Sequence, residues 1–391
     1  MLFYLPVITD RHFEAIVLPL LRIMAREAEV HVAGPPIWSM TGLSERQLRH
    51  CIELPEIQWH IFDGEDHPLL RTAPADPDEL IDYVGGIDPD YSFCRSADVT
   101  TPCRFPGRTR FLMEPIVPPF ALRTGLAGPA MLDGPRLYDQ GFMPALDPEA
   151  RAWLDRRFAP AWNAMRARHA RGEAARDAYL AKAGLPANRR IIALPLNVEA
   201  ATNFFIRQHS ATPSNAELIE ALAAQLDEDF VLALTRHPLN RHGDPELDRS
   251  VEPIEPVVAQ LGDRVRIVEA VGPARNSTAS LIQHCDGALI CDSKAFGFAA
   301  FFGKPILRIS RYDSAPWMRA YTDLAPFLED VRAGTARAPL PEEAMTWFGF
   351  HYANNVFAAH DPDLTAGEIV DRVDRPINPD RWEAGLARLA S

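Results

Sequence analysis

Cysteine is scarce in this chain and scattered. The five cysteines, Cys51, Cys94, Cys103, Cys285 and Cys291, form no CxxC pair. That spacing argues against a disulfide framework and against a zinc site, and it fits a reducing compartment. No apolar run is long enough to cross a bilayer, because the stretch over 13–25 is broken by Glu14, Pro19 and Arg22. The start, MLFYLPVITDRHFEAIV, lacks the basic segment and small-residue cleavage site of a secretory leader. Basic charge is in deficit: 40 Lys and Arg stand against 53 Asp and Glu, a formal charge of −13. A phosphate backbone attracts a basic face, so nucleic acid is not expected as a partner. No P-loop, no GxGxxG, no internal repeat and no low-complexity segment occurs, and no DxD-like pair stands out as a metal site. These absences predict a cytosolic protein, with contact at the inner face of the membrane left open, that uses neither a metal nor a cofactor.

What is present is an alternation of apolar strands and helical patterns. LFYLPVI (2–8) suits a buried strand, 13–27 carries helical spacing, and EVHVAG (29–34) is a second strand. Further short strands are expected at 57–62, 91–95 and 109–113. Residues 148–184 are rich in Ala, Arg and Glu and predict one or two helices. After the turn GLPANRR (184–190) the alternation starts again. Strands are expected at IIALPL (191–196), within DFVLALTRHP (229–238) and VVAQLGDRVRIVEA (257–270), at GALICD (287–292) and at KPILRIS (304–310). The length exceeds what one core usually serves. The expected architecture is α/β: two facing Rossmann-like domains with a cleft between them and a helical C-terminal tail. The divisions are 1–184, an N-terminal Rossmann-like domain with linker helices; 185–340, a C-terminal Rossmann-like domain; and 341–391, the tail, with MTWFGFHYANNVFAAH as a candidate helix.

In such sheets ligands bind outside the carboxyl ends of the strands. In the second half those ends carry Asn197, then Arg236, His237 and Pro238, then Asp292, Ser293 and Lys294. Loops are commonly built from such residues, but their agreement over several strands favours a site. In DSKAFGFAAFFGKPI (292–306), Ser293 is expected to cap a helix over 293–303 whose free N–H groups, with Lys294, would hold a phosphate. Gly303 reads as its C-cap and Lys304 as structural. Proline after His237 restricts that backbone and aims the imidazole. Arg236 and Arg241 make the neighbourhood positive.

The order of these motifs resembles bacterial capsule polysaccharide synthesis glycosyltransferases, a group that includes Kdo-transferring enzymes and is distantly similar to bacterial sialyltransferases of the GT-B fold. It is carried by PLN with a downstream HS (His209-Ser210), then HPL, then SLIQHCDGALICDS, then GKPIL, over about residues 185–312. The resemblance implies a GT-B fold and a CMP- or UDP-linked sugar donor held by the second domain. It implies that His237 and Pro238 grip the nucleotide and Ser293 the phosphate, with Asn197 where the family often has glutamine. The family commonly reads S-x-x-G-x-E-A before its GKP. Here Phe296 stands for the glycine and Phe298 for the acid, which often holds the ribose in GT-B enzymes. Glu269 is an alternative for that contact.

Metal-free glycosyl transfer needs a stabilised leaving phosphate and a base for the acceptor hydroxyl. Strand-end candidates for the base are Asp10, His12, Glu114 and Asp133, with Glu114 favoured because it ends an apolar strand before a proline-rich turn. The acceptor is expected to be a glycan or glycolipid of the bacterial surface. Two other readings stand beside this one: a non-catalytic binder of nucleotide sugars, and a sugar-nucleotide epimerase.

Overall fold

The computed structural model describes residues 1–391 except 39–40, 55, 64–75, 96–100, 114–115, 118, 122–128, 135–139, 172–175, 198–213, 238–253, 270–276, 311 and 391. Its first sheet contains β1 (Leu2–Tyr4), β2 (Val30–Gly34), β3 (Ile57–Ile61), β4 (Tyr91–Cys94) and β5 (Arg108–Met113). A small hairpin, β6 (Ile116–Val117) and β7 (Phe120–Ala121), precedes β8 (Pro129–Leu132). The second sheet contains β9 (Arg190–Pro195), β10 (Phe230–Thr235), β11 (Val265–Ile267), β12 (Gly287–Ile290) and β13 (Ile306–Arg308). One further strand, β14 (Val356–Ala358), comes from the tail.

The two sheets are wound alike. The second has the order β11-β10-β9-β12-β13, parallel throughout. The first repeats that order in β3-β2-β1-β4-β5 and then adds β8 and β14 antiparallel at one edge. Helices on both faces explain why β9, β10 and β12 read as unbroken apolar runs. Their strand residues are buried except Arg190 at the start of β9. In each sheet the winding reverses between the first strand and the fourth. The two switch points are therefore β1/β4 and β9/β12, where a doubly wound sheet opens a crevice at its carboxyl edge.

The expected strands are present, and several are shorter: β1 stops at Tyr4 and β13 spans Ile306–Arg308. The 148–184 region forms two helices, Pro148–Arg171 and Arg176–Ala183. The first helix of the chain runs from Asp10 to Met24 with a π-helical stretch at Phe13–Val17. Pro19 cannot donate to the ladder there, and a widened turn is where such a gap is absorbed. The Ala15 carbonyl lies 3.1 Å from His360 Nε2, a residue of the tail.

The tail is not purely helical. The expected helix over MTWFGFHYANNVFAAH ends early: α-helix covers Pro341–Phe350, a π-turn covers His351–Asn355, and β14 follows. Val356 and Phe357 are β-branched and aromatic residues that suit a sheet edge, and β8 offers one. Helix Ala366–Asp374 then adds Ile369 and Val373 to the core of the first half, which also holds Ile16 and Val17. Asp374 takes 2.6 Å contacts from Arg108 and from the Tyr91 hydroxyl. The last helix, Pro379–Ala390, returns Trp382 and Leu386 to the core that Pro148–Arg171 shares with the second half. Among the described residues no helix is long and apolar enough to cross a membrane.

Candidate functional site

At the second switch point, β9 leads to Asn197 and β12 leads to Cys291, Asp292 and Ser293. Asn197 is pinned by Asn215, whose side chain accepts from the Asn197 N–H at 3.1 Å and donates to its carbonyl at 3.0 Å. The Asn197 side chain also hydrogen-bonds the buried Cys291 thiol, which burial pushes up to about 12. Asp292 turns inward. Its carboxylate meets Arg308 at 2.5 Å and accepts from Ser310 Oγ at 2.8 Å. With side chains 6% and 2% exposed, Asp292 and Arg308 form an interior ion pair that joins β12 to β13. Of the three polar residues after β12, this leaves Ser293 and Lys294 at the edge.

The helix after them starts later than expected. It covers Phe296–Phe302, with Ala295 at the N-cap position and no side-chain cap. Lys294 and Ala295 form a tight turn instead, with Phe296 N–H bonded to the Ser293 carbonyl at 3.3 Å and Gly297 N–H to that of Lys294 at 3.0 Å. Ser293 Oγ accepts from the Ala295 N–H at 3.2 Å, so it caps the turn. Gly303 ends the helix at φ 64°, a left-handed value that glycine takes without a Cβ penalty. Lys304 Nζ donates to the Cys285 carbonyl at 2.9 Å, the structural role expected of it. Phe296 and Phe298 are both buried. Phe296 lies edge-on to Trp347 with centroids 5.2 Å apart, and Phe298 is stacked with Phe302.

After β10, Arg236 sits between Glu255 at 2.5 Å and Glu269 at 3.9 Å. Hydrogen bonding to Arg236 holds the Glu255 carboxyl below its ordinary range. His237 is half-buried beside it, whereas Pro238, Arg241 and His209-Ser210 lie outside the described residues.

On the first half, Asp10 and His12 hold local structure. Asp10 Oδ1 accepts from Ser44 Oγ at 2.7 Å and from Gln47 Nε2 at 2.9 Å. Thr9 caps the helix at His12 N–H, and its hydroxyl lies 3.1 Å from His12 Nδ1. Glu114 lies outside the described residues. Among the described strand-end candidates, Asp133 is the one that feels a charge of the second half, that of Lys294. It follows β8, its N–H reaches the Phe111 carbonyl at 2.8 Å, and its Oδ1 accepts from the Gly134 N–H at 2.8 Å. Burial pushes its carboxyl up, while the Gly134 N–H and the Lys294 charge pull it partly back.

Gln140 completes the junction. Its side chain donates at 3.4 Å to the carbonyls of Cys291 and Ser293, and its backbone bonds to Asp313 and Ala315. Tyr312 of the second half packs against a cluster containing Tyr4, Cys94 and Phe111 of the first. The turn that carries Ser293 and Lys294 thus meets the first half through Gln140, and Tyr312 meets it at the β1/β4 end. Sequence reasoning missed Gln140 and did not find β8. The signal was PAMLDG (129–134), an apolar tetrapeptide before an Asp-Gly turn.

A hollow of about 510 Å3 lies elsewhere, beside Glu27, Glu29 and Glu56 at the amino-terminal edge of the first sheet. That is the wrong edge for a doubly wound fold.

No sequence family matches the chain, and no curated protein does. Among solved structures it is similar to a beta Kdo 2,7 transferase, KpsC of Thermosulfurimonas dismutans, at 12% identity over 88% of this chain and 98% of that one, with a TM-score of 0.44. A beta Kdo 2,4 transferase of the same KpsC follows at 10% identity, 97% and 98% coverage and a TM-score of 0.42. The ADP-heptose lps heptosyltransferase II of E. coli matches at 11% identity, 100% and 99% coverage and a TM-score of 0.24. All three scores fall below 0.5, too low to place the chain in any of these families.

Proposed function

We propose that the chain is a metal-independent glycosyltransferase that moves a sugar from a nucleotide-activated donor to a glycan or glycolipid acceptor in bacterial surface polysaccharide synthesis. The observation that carries this reading is the junction of the two halves beside the second switch point, where Gln140 reaches the carbonyls of Cys291 and Ser293 and Asp133, after β8, lies within the field of Lys294. Each switch point is where such a sheet takes a ligand, so two substrates can be held face to face. The motif order quoted above supports a nucleotide on the second sheet.

In this reading Ser293, Lys294 and His237 hold the donor phosphate, and Asn197 lines the floor. Arg236 is held by Glu255 and Glu269, so it shapes that wall more than it charges it. Glu269 is the acid available for the ribose, because Phe298 is turned into the core. Asp133 takes the proton of the acceptor hydroxyl. The hydroxyl oxygen bonds to the anomeric carbon as the bond from that carbon to the phosphate breaks, and the nucleotide leaves with the electron pair. Lys294 offsets the charge that builds on the phosphate. A carboxyl raised by burial is a stronger base than an ordinary one.

The test is thermal shift with CMP, UDP, GDP and ADP, followed by turnover of the donor that binds. One nucleotide should stabilise the protein, and Ser293→Ala and His237→Ala should lose that response. Asp133→Asn should keep it while losing transfer. No response to any nucleotide would sink the reading. The buried Phe298 also fits a nucleotide-sugar binder without activity. Binding without transfer or hydrolysis of the donor would favour that alternative.

A further inference from the structure

At the carboxyl end of β13, away from β9, the surface folds into a hollow of about 450 Å3 lined by Arg308, Arg319, Arg337, Tyr312, Asp313 and Thr322 among others. Three arginines line it in a chain of formal charge −13. They are not equivalent. The charge of Arg308 is offset by Asp292 at 2.5 Å. Arg337 lies over the Tyr321 ring at 4.2 Å and reaches the Ala320 carbonyl at 3.4 Å, and it meets no carboxylate among the described residues. Arg319 makes no ion pair among the described residues and is exposed.

Arg319 is also costly where it stands. It follows the short turn Pro316–Met318 at φ 49°, a left-handed conformation that glycine or asparagine takes more easily. A long cationic side chain there gains nothing for the turn itself, so its reason lies in where the side chain goes, which is the hollow. Asp313 on the rim is the opposing charge among the lining residues, leaving a net positive surface. Two guanidinium forks, one fixed by stacking, match a tetrahedral oxyanion better than a single lysine would.

We propose that this hollow is a phosphate-binding site separate from the Ser293–Lys294 edge, with Arg319 and Arg337 as its charged donors. It takes a phosphate monoester or diphosphate group of a second ligand, and the reading does not depend on the transferase proposal.

The probe is inorganic pyrophosphate, titrated calorimetrically against the whole chain at fixed ionic strength, with sodium chloride as the blank. Binding should weaken at least tenfold in Arg319→Gln and in Arg337→Gln, and stay unchanged in Arg332→Gln, which pairs with Asp227 and Asp229 elsewhere on the domain. The pyrophosphate binding that Arg319→Gln weakens should persist in Ser293→Ala and His237→Ala, whatever those two variants do at the other edge. If Arg337→Gln lowers the melting temperature without ligand, Arg319→Gln decides, since its guanidinium supports no described contact. Two results would overturn the proposal: no pyrophosphate binding beyond the chloride blank, or binding that Ser293→Ala abolishes and Arg319→Gln spares.

Discussion

Lys294 and Asp133 belong to different sheets, yet the charge of the first acts on the carboxyl of the second. Asp133 is raised by burial and restrained by Lys294 and the Gly134 N–H. Because a base works ionised, the acidic limb of kcat/KM should lie above the ordinary aspartate range of about 3.9. Removing Lys294 removes a lowering influence, so Lys294→Ala should move that limb to higher pH. Asp133→Asn should cut kcat by roughly 100-fold or more. A pH–rate profile unchanged in Lys294→Ala would show that the two residues are not coupled.

The Asp292–Arg308 pair supplies a stability test. Both side chains are almost fully enclosed, so losing one partner strands a charge. Arg308→Met should destabilise the fold by roughly 3–5 kcal/mol in urea. Replacing both residues by apolar ones should cost less than the two single changes added together. A loss below about 1 kcal/mol would place the pair in solvent instead.

His351 makes stability depend on pH. It is buried beside Trp347, with ring centroids 4.4 Å apart, and burial lowers its imidazole to about 4. The unfolded chain takes up a proton near 6.5 and the folded chain resists it, so the contribution is full above that pH. It is lost as the pH falls from 6.5 to about 4. The ceiling is on the order of 3 kcal/mol. Urea midpoints at pH 7 and pH 5 should differ less in His351→Gln than in the parent.

Phe298 stands where the resembling family carries an acid. Restoring that acid should not restore a ribose contact, because the side chain is buried among phenylalanines. Phe298→Glu should lower stability by several kcal/mol, on the scale of an unpaired buried charge, with no gain in nucleotide affinity. Phe298→Leu should be milder, about 1 kcal/mol or a little more. Tighter nucleotide binding by Phe298→Glu would mean that the side chain reaches the ligand edge.

The parallel strands were legible because burial on both faces leaves apolar runs, as in IIALP and FVLAL. Gly303 and Lys304 were legible from cap chemistry. Asp292 was not, since an inward and an outward carboxylate look the same until Arg308 is placed opposite. β8 and β14 escaped because each is short and pairs with a strand far away in sequence. The late helix start at Phe296 escaped because Ser-Lys-Ala suits a turn and a first helical turn equally. Gln140 lies in a stretch without periodicity, and its role depends on a neighbour 151 residues away.

The edge strand contributed by the tail has a mechanical consequence. The polypeptide passes from the first half to the second through Pro148–Arg171 and comes back through Pro341–Asn355, and these two segments pack on each other through Phe158, Trp162 and Phe348. Two connectors bound side by side tie the halves at two points, so any relative movement of the halves must carry both segments or break the packing between them. Cutting the chain near residue 340 would remove one of the two ties and strip the first sheet of its β14 edge.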